Sequence, residues 1–262
     1  MSATSNARRA RRKELILREL GLMPLWRARA GGVRRLAQAP QMPHEIPAIQ
    51  PEPGVRHMHD DNPAEDRRSE MILRMDWDQL RTSVEGCVAC PLCRSRTRTV
   101  LGAGDPNGDW LYVGEGPGAQ EDATGEPFVG PAGQLLDNML TAIGLKRGRN
   151  VYIANIVKCR PPGNREPTAD EAACCAPYLV RQIKLMQPKL IIALGKVAAY
   201  NLLHGDGSLA SLRGRLHKYA GIPVIVTYHP AYLLRNMPAK AKAWEDLCFA
   251  RSTMQTILQS SK

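Results

Sequence analysis

Along the second half of the chain, short apolar runs alternate with longer stretches of helical periodicity. Four runs, Trp110–Gly114, Val151–Val157, Leu190–Leu194 and Pro223–Tyr228, have the brief, nearly continuous apolar pattern of a buried parallel strand. Helical stretches lie between them at Gln134–Ile143, Thr168–Met186 and Lys196–Leu203, with a last one over Ala239–Leu258. Thr168 with Glu171 forms a capping-box start, and Pro188 closes that helix. A further helix enters the body from Met75, with Leu80 and Val84 on its apolar side. Strand–helix alternation of this kind predicts an α/β fold, a three-layer α/β/α body around a central, mostly parallel four-stranded sheet. Ligands then gather at the C-terminal strand ends, here Gly114-Glu115, Asn155 and Tyr228-His229-Pro230.

The pattern divides the chain into residues 1–36, 37–75 and 76–262. In the first part Leu15, Ile16, Leu17, Leu20 and Leu22 outline a short, imperfectly amphipathic helix that Gly21 and Pro24 stop, with Trp26 following among arginines. Residues 37–75 hold Pro40, Pro43, Pro47, Pro51, Pro53 and Pro63 with few large apolar side chains, the composition of a flexible linker. His44, His57 and His59 fall in that stretch and read as solvated rather than liganding.

Charge changes this picture. The 262 residues carry a formal +11, with ten Lys/Arg against two acids in residues 1–36, five against ten in 37–86, and 21 against 13 in the remainder. A basic tail and a basic body favour a polyanionic partner, nucleic acid above all. The tail reads either as a contact to DNA backbone or as a partner-docking helix. No apolar run is long enough to cross a bilayer, and the N-terminal arginines precede no signal-type apolar core, so a soluble, cytoplasmic protein is expected.

The segment from Trp110 to Gly133 is the candidate pocket wall. Gly114, Gly116, Gly118, Gly125, Gly130 and Gly133 alternate there with Glu115, Glu121, Asp122 and Glu126. Glycines let backbone approach a ligand closely. The Gly-Lys-Ser/Thr of a P-loop is missing, and the carboxylates would repel phosphate.

Seven cysteines without a secretion signal argue against a disulfide framework. Cys87 and Cys90 form a C-x2-C pair, Cys93 follows, Cys159 lies in KCRPPGN, and Cys174-Cys175 lie on the next helix. That is not zinc-ribbon spacing. Four thiolates drawn from distant segments suit either zinc or an iron–sulfur cluster, and spacing does not choose. Cys248, alone on the last helix, reads as a packing residue.

Six blocks, CVACPL, RTRTVLGAGDPN, VGEGPGAQEDATGEPFVGPAGQLLD, VYIANIVKCRPPGNREPT, CAPYL and TYHPAYLLR, resemble in order and spacing the type-4 uracil-DNA glycosylases, over about residues 76–250. The resemblance implies hydrolysis of the N-glycosidic bond of uracil in DNA, and a [4Fe–4S] cluster on Cys87, Cys90, Cys159 and Cys175, with Cys93 and Cys174 outside the set. It implies a uracil site in which Phe128 stacks on the base, Gly116 lies against it, Asn155 reads its Watson–Crick edge and His229 donates to O2. An amide can donate to O4 and accept from N3–H, an arrangement cytosine opposes.

The familiar Gln-Asp of the best-known glycosylase branch is here Glu115-Gly116, so the usual water-activating aspartate is missing. Glu115 or Glu121 takes its place, or Glu121 excludes thymine by blocking the C5 methyl, and Asn164 helps hold water or the glutamates. In the TYHPAYLLR block, Leu233 is the expected tip of a wedge entering the base stack, with Arg235 on phosphate. The alternative is the first turn of an ordinary helix.

Expected partners are uracil-containing DNA, single- or double-stranded, and no membrane. The tail resembles the N-terminal peptide of the psi subunit of the bacterial clamp loader, which implies replisome tethering through residues 8–35. A monomeric, nucleoid-associated bacterial enzyme is the resulting expectation. The competing reading is a non-catalytic single-stranded-DNA or partner-binding module that keeps only fold and metal.

Overall fold

The computed structural model describes residues 63–205 and 207–260. The basic tail, its docking helix at 8–35 and the histidines of the linker lie outside the described residues. The body comprises, in chain order, α1 (Pro63–Ile72), α2 (Trp77–Glu85), β1 (Ala103–Gly104), β2 (Trp110–Gly114), α3 (Ala119–Thr124), α4 (Pro131–Ala142) and β3 (Val151–Asn155). It continues with α5 (Ala169–Met186), β4 (Leu190–Leu194), α6 (Lys196–Leu203), α7 (Leu209–Leu212), β5 (Leu216–Tyr219), β6 (Ile222–Thr227), α8 (Pro230–Arg235) and α9 (Ala239–Ser260).

Among the described residues one sheet has the order β1-β3-β2-β4-β6-β5. The four central strands are parallel, and β1 and β5 pair antiparallel at the two edges. The expected four-stranded parallel core is therefore present with a short strand added on each side. Both additions elude the apolar pattern, because β1 has two residues and β5 alternates exposed and half-buried positions.

Period two along the strands explains the three layers. Leu111 and Val113 face one side with Tyr152, Ala154, Ile191 and Ala193, against Leu179 and Ile183 of α5 and Ala198 of α6. Trp110 and Tyr112 face the other with Ile153, Leu190 and Ile192, against Leu136 and Leu140 of α4 and Leu247 of α9. Covering both faces buries every position of β2, β3 and β4, which is why these strands read as continuous apolar runs.

Local chemistry sets the helix boundaries. Thr168 and Glu171 cap α5 reciprocally, at 3.2 and 2.9 Å, and Arg165 clamps the Glu171 carboxylate at 2.6 and 2.7 Å. The same helix ends at Gln187 in the left-handed region, just before Pro188. Asp76 and Gln79 cap α2 in the same reciprocal way.

The linker expectation needs correcting at its end. Pro63–Ile72 is helical, and Ile72 is buried in the core beside Leu80 and Val84. The proline and the charged residues of this segment suggest linker, but one apolar anchor and an arginine described below bind it to the body.

The sheet order carries a functional consequence. From β2 the chain crosses to β3 on one side and then returns to β4 on the other. This reversal opens a crevice beyond the C-terminal ends of β2 and β4.

Candidate functional site

That crevice is a cleft of about 820 Å³. Glu115, Gly116 and Glu121 enter it from the segment after β2, and Phe128 from the loop before α4. Asn155 ends β3, Asn164 follows in a turn, and Tyr228, His229 and Arg235 come from the end of β6 and from α8. Residues spread over more than a hundred positions thus share one wall.

Phe128 and His229 meet with ring centroids 5.5 Å apart. The amide of Asn155 lies beside them over Gly114, where a Cβ would stand 2.5 Å from Asn155 Oδ1 and 2.6 Å from Phe128 Cζ. Only glycine leaves room for both groups at the end of β2. Asn155 is 1% exposed, and its Oδ1 has no hydrogen-bond partner among the described residues. A buried acceptor without a donor costs about 1–3 kcal/mol, so this atom is arranged for a donor that a ligand brings.

Phe128 holds a strained backbone, with φ of 56°, where a bulky residue is a genuine outlier. Its surroundings account for it. Arg147 donates to the carbonyls of Pro127 and Phe128 at 2.8 and 2.9 Å, and is anchored to Asp137 at 2.9 Å. Glu121 Oε1 accepts from the amides of Val129 and Gly130 at 3.0 and 3.2 Å. Beneath the loop, a Cβ on Gly133 would stand 1.7 Å from the Phe128 carbonyl oxygen.

The two glutamates separate by environment. Glu121 spends both carboxylate oxygens on backbone amides, the second accepting from Gly118 at 3.1 Å, so it is a positioning residue for the Phe128 loop. The carboxylate of Glu115 makes no hydrogen bond among the described residues. Burial pushes it up to about 7, and the nearby Glu166 carboxylate adds to the rise. Half-ionised at neutral pH, it is suited to exchanging a proton.

His229 caps α8, its Nδ1 accepting from the Ala231 amide at 3.2 Å. That bond leaves the ring proton on Nε2. Burial lowers the imidazole to about 4; the Arg235 charge lowers it further while Glu121 opposes. The ring is neutral at physiological pH and presents an N–H donor.

Two expectations fare differently at α8. Arg235 lines the cleft. Leu233 does not: it is 1% exposed and packs in the core with Leu136 and Leu140. Its expected place as a wedge tip is corrected, because one helical step of about 100° separates it from Leu234, which is 43% exposed. Asn164 is exposed in the turn after Pro162, where its Oδ1 accepts from Arg160 at 2.8 Å.

A second cavity lies where the cysteines converge. Cys87, Cys90, Cys93, Cys159, Cys174 and Cys175 all line it, with Arg96, Lys158 and Tyr178. No preformed group of three or more metal-holding side chains is found among the described residues. The donor set nevertheless fits an anionic centre held on thiolates. Arg96 donates to Cys159 Sγ at 3.1 Å, Arg68 to Cys87 Sγ at 3.6 Å, and the Lys158 amide to Cys175 Sγ at 3.3 Å. Three of the four expected ligands thus already receive N–H donors. Arg68 explains why α1 folds onto the body: it also bonds the Cys174 carbonyl at 2.9 Å and stacks over Tyr178.

The family model described as the uracil DNA glycosylase superfamily matches residues 101–248. The type-4 uracil-DNA glycosylase of Thermotoga maritima is 47% identical over 155 residues, covering 58% of this chain and 80% of that protein. That of Pyrobaculum aerophilum is 40% identical over 197 residues, covering 72% of this chain and all 100% of the relative. The chain belongs to the type-4 uracil-DNA glycosylases. A type-5 enzyme of Pyrobaculum aerophilum is more distant, at 34% identity over 149 residues.

Within this glycosylase scaffold several residues carry work that the sequence reading passed over. Arg147 clamps the Phe128 loop. Lys158 is buried, its ammonium donating to the Asn155 carbonyl at 2.8 Å and to Gln182 at 2.6 Å, and burial lowers it to about 8. It links the thiol cavity to the strand end that carries Asn155. Its place beside Cys159 in KCRPPGN was the available signal. No local pattern marks Arg147 or Glu166.

Proposed function

We propose that this chain excises uracil from DNA by hydrolysing the N-glycosidic bond, opening base excision repair of deaminated cytosine and leaving an abasic site. The observation that carries this is the buried, unpaired Asn155 Oδ1 beside Phe128 and the neutral His229. Together they match the edge, face and O2 of one extruded uracil.

In this reading the base stacks on Phe128 with Gly116 alongside. Asn155 accepts from N3–H and donates to O4; cytosine would set an acceptor against Oδ1 and leave it unpaired. As the glycosidic bond breaks, its electron pair moves to uracil N1, and charge spreads to O2, where His229 Nε2–H donates. Glu115 as carboxylate faces the cationic sugar and takes the proton of the water that adds to C1′. Glu121 acts through Phe128 rather than on water. Asn164 holds the far wall of the water site, and Arg235 meets phosphate. A passive binding module would need neither a raised Glu115 nor a fixed histidine tautomer.

On this reading Cys87, Cys90, Cys159 and Cys175 would hold a [4Fe–4S] cluster in the thiol cavity, which would cross-link the segment after α2, the segment after β3 and α5. The basic segment 8–35 as a replisome tether, a monomeric state and a nucleoid-associated cytoplasmic setting are kept on sequence grounds. No helix among the described residues is long and apolar enough to cross a membrane.

The test is excision from a uracil-containing oligonucleotide, read by alkaline cleavage at abasic sites. Asn155→Asp and His229→Ala are expected to lower turnover by at least about 100-fold. Near-wild-type turnover in both would overturn the pocket assignment.

A further inference from the structure

Three planar groups pack together beside the cleft. Tyr228 and Tyr232 stack with centroids 5.2 Å apart and planes 18° apart, and the Arg213 guanidinium lies 4.5 Å from the Tyr228 ring centroid. Both tyrosines line the cleft. Tyr232 is nevertheless 40% exposed, an unusual position for an aromatic ring that already has a stacking partner.

The stack is held from behind. Arg213 forms a two-pronged pair with Asp246 at 2.7 and 2.9 Å and donates to the Lys242 carbonyl at 2.6 Å. Thr227 donates to the same Asp246 at 2.7 Å. At the outer end, Asn236 donates to the Tyr232 hydroxyl at 2.6 Å, which fixes the ring's tilt. Rings so constrained lose little entropy on meeting another flat surface.

We propose that Tyr232, backed by Tyr228 and Arg213, is a stacking subsite for the unpaired base next to the extruded uracil. The proposal rests on the uracil reading of the cleft. Two features select this occupant. Tyr232 and Arg235 stand three residues apart on α8 and so share a face, which puts a cation beside the ring where the phosphate of a stacked nucleotide would run. Lys196, its ammonium 5.2 Å from the Tyr200 ring centroid, is a second cation lining the cleft. A π-face flanked by positive charge is the chemistry that receives a single-stranded nucleotide without reading its sequence. A base still paired in a duplex has both faces covered by its neighbours. The subsite therefore favours single-stranded or locally opened DNA, and tolerates any of the four bases.

The experiment uses the full chain and single-stranded oligonucleotides with one uracil, in which the 5′ or the 3′ neighbour is intact or replaced by an abasic tetrahydrofuran. Removing the base that rests on Tyr232 is expected to lower wild-type kcat/KM by about 5- to 150-fold, about 1–3 kcal/mol. Tyr232→Ala should show that loss on the intact strand and no further loss when the neighbour is removed, whereas Tyr232→Phe keeps the wild-type pattern. Wild type indifferent to both neighbours, or Tyr232→Ala as sensitive as wild type, overturns the subsite. Should no strand be excised, the uracil reading fails by itself, and the subsite is judged by binding instead. The preference of wild type for an oligothymidylate over an abasic strand of equal length must then shrink in Tyr232→Ala; an unchanged preference overturns it.

Discussion

Substituting Glu166 by Gln tests which carboxylate exchanges the proton. Glu115 sits at about 7 rather than its usual 4.5, through burial first and through Glu166 second. If its ionised form is required, about 9% is active at pH 6, against about 97% for an unperturbed carboxylate. Glu166 is exposed, so its influence crosses solvent and amounts to about 0.5–1 kcal/mol. Removing that charge moves the inflection down by about half a pH unit and raises the pH 6 rate about two- to fourfold, with little change at pH 8. The assay is single-turnover excision at saturating oligonucleotide from pH 5 to pH 9. Added salt should shrink the difference, since an exposed charge is screened. His229, lowered to about 4, cannot produce a limb near 7. An acid limb near 4.5 in both proteins would refute Glu115 as the base. Stability supplies an independent sign. The raised Glu115 favours the folded state fully below 4.5, and that contribution is lost as pH rises through about 7. Glu115→Gln should therefore be inactive yet melt higher than wild type at pH 8.

Gly114→Ala should lower excision by about 5- to 150-fold, because its Cβ would crowd both Asn155 and Phe128 and overpacking costs about 1–3 kcal/mol; single-turnover rates check it. Leu233→Ala should cost about 2–5 kcal/mol in urea melts, whereas Leu234→Ala leaves stability within about 0.5 kcal/mol, separating the core leucine from the exposed one. Cys175→Ser should bleach a broad absorbance near roughly 400 nm and lower the melting temperature, while Cys248→Ser, exposed on α9 and not the packing residue its sequence suggests, does neither; a colourless wild-type protein purified without oxygen would refute the cluster.

What could be read beforehand depended on whether a residue's task is set by its own neighbours in sequence. β2 and β4 are legible to the residue, because burial on both faces leaves an uninterrupted apolar run with breakers at each end. Strand ends then locate Asn155 and His229 at one edge with no knowledge of the loops. Leu233 and Leu234 show the limit. Two adjacent leucines on a six-residue helix are equivalent in pattern, and only the angle at which His229 starts α8 decides which one faces α4. The glutamates show the same limit: both stand among glycines, yet Glu121 is consumed by three amides of a loop that folds back on it, and the Glu115 carboxylate makes no hydrogen bond among the described residues.

The Phe128 loop joins these cases. A glycine-rich GEPFVGPAG segment suggests freedom, but almost every constraint on it comes from elsewhere. Arg147 reaches back from beyond α4, Glu121 reaches forward from α3, and Gly133 permits the first turn of α4 to close against the Phe128 carbonyl. A ring held this way pays its conformational cost during folding, so none remains when a base arrives. The strained φ of Phe128 follows from that arrangement. The same loop built without Arg147 would relax the ring away from Gly114, and the site would lose its stacking floor while its polar groups stayed in place.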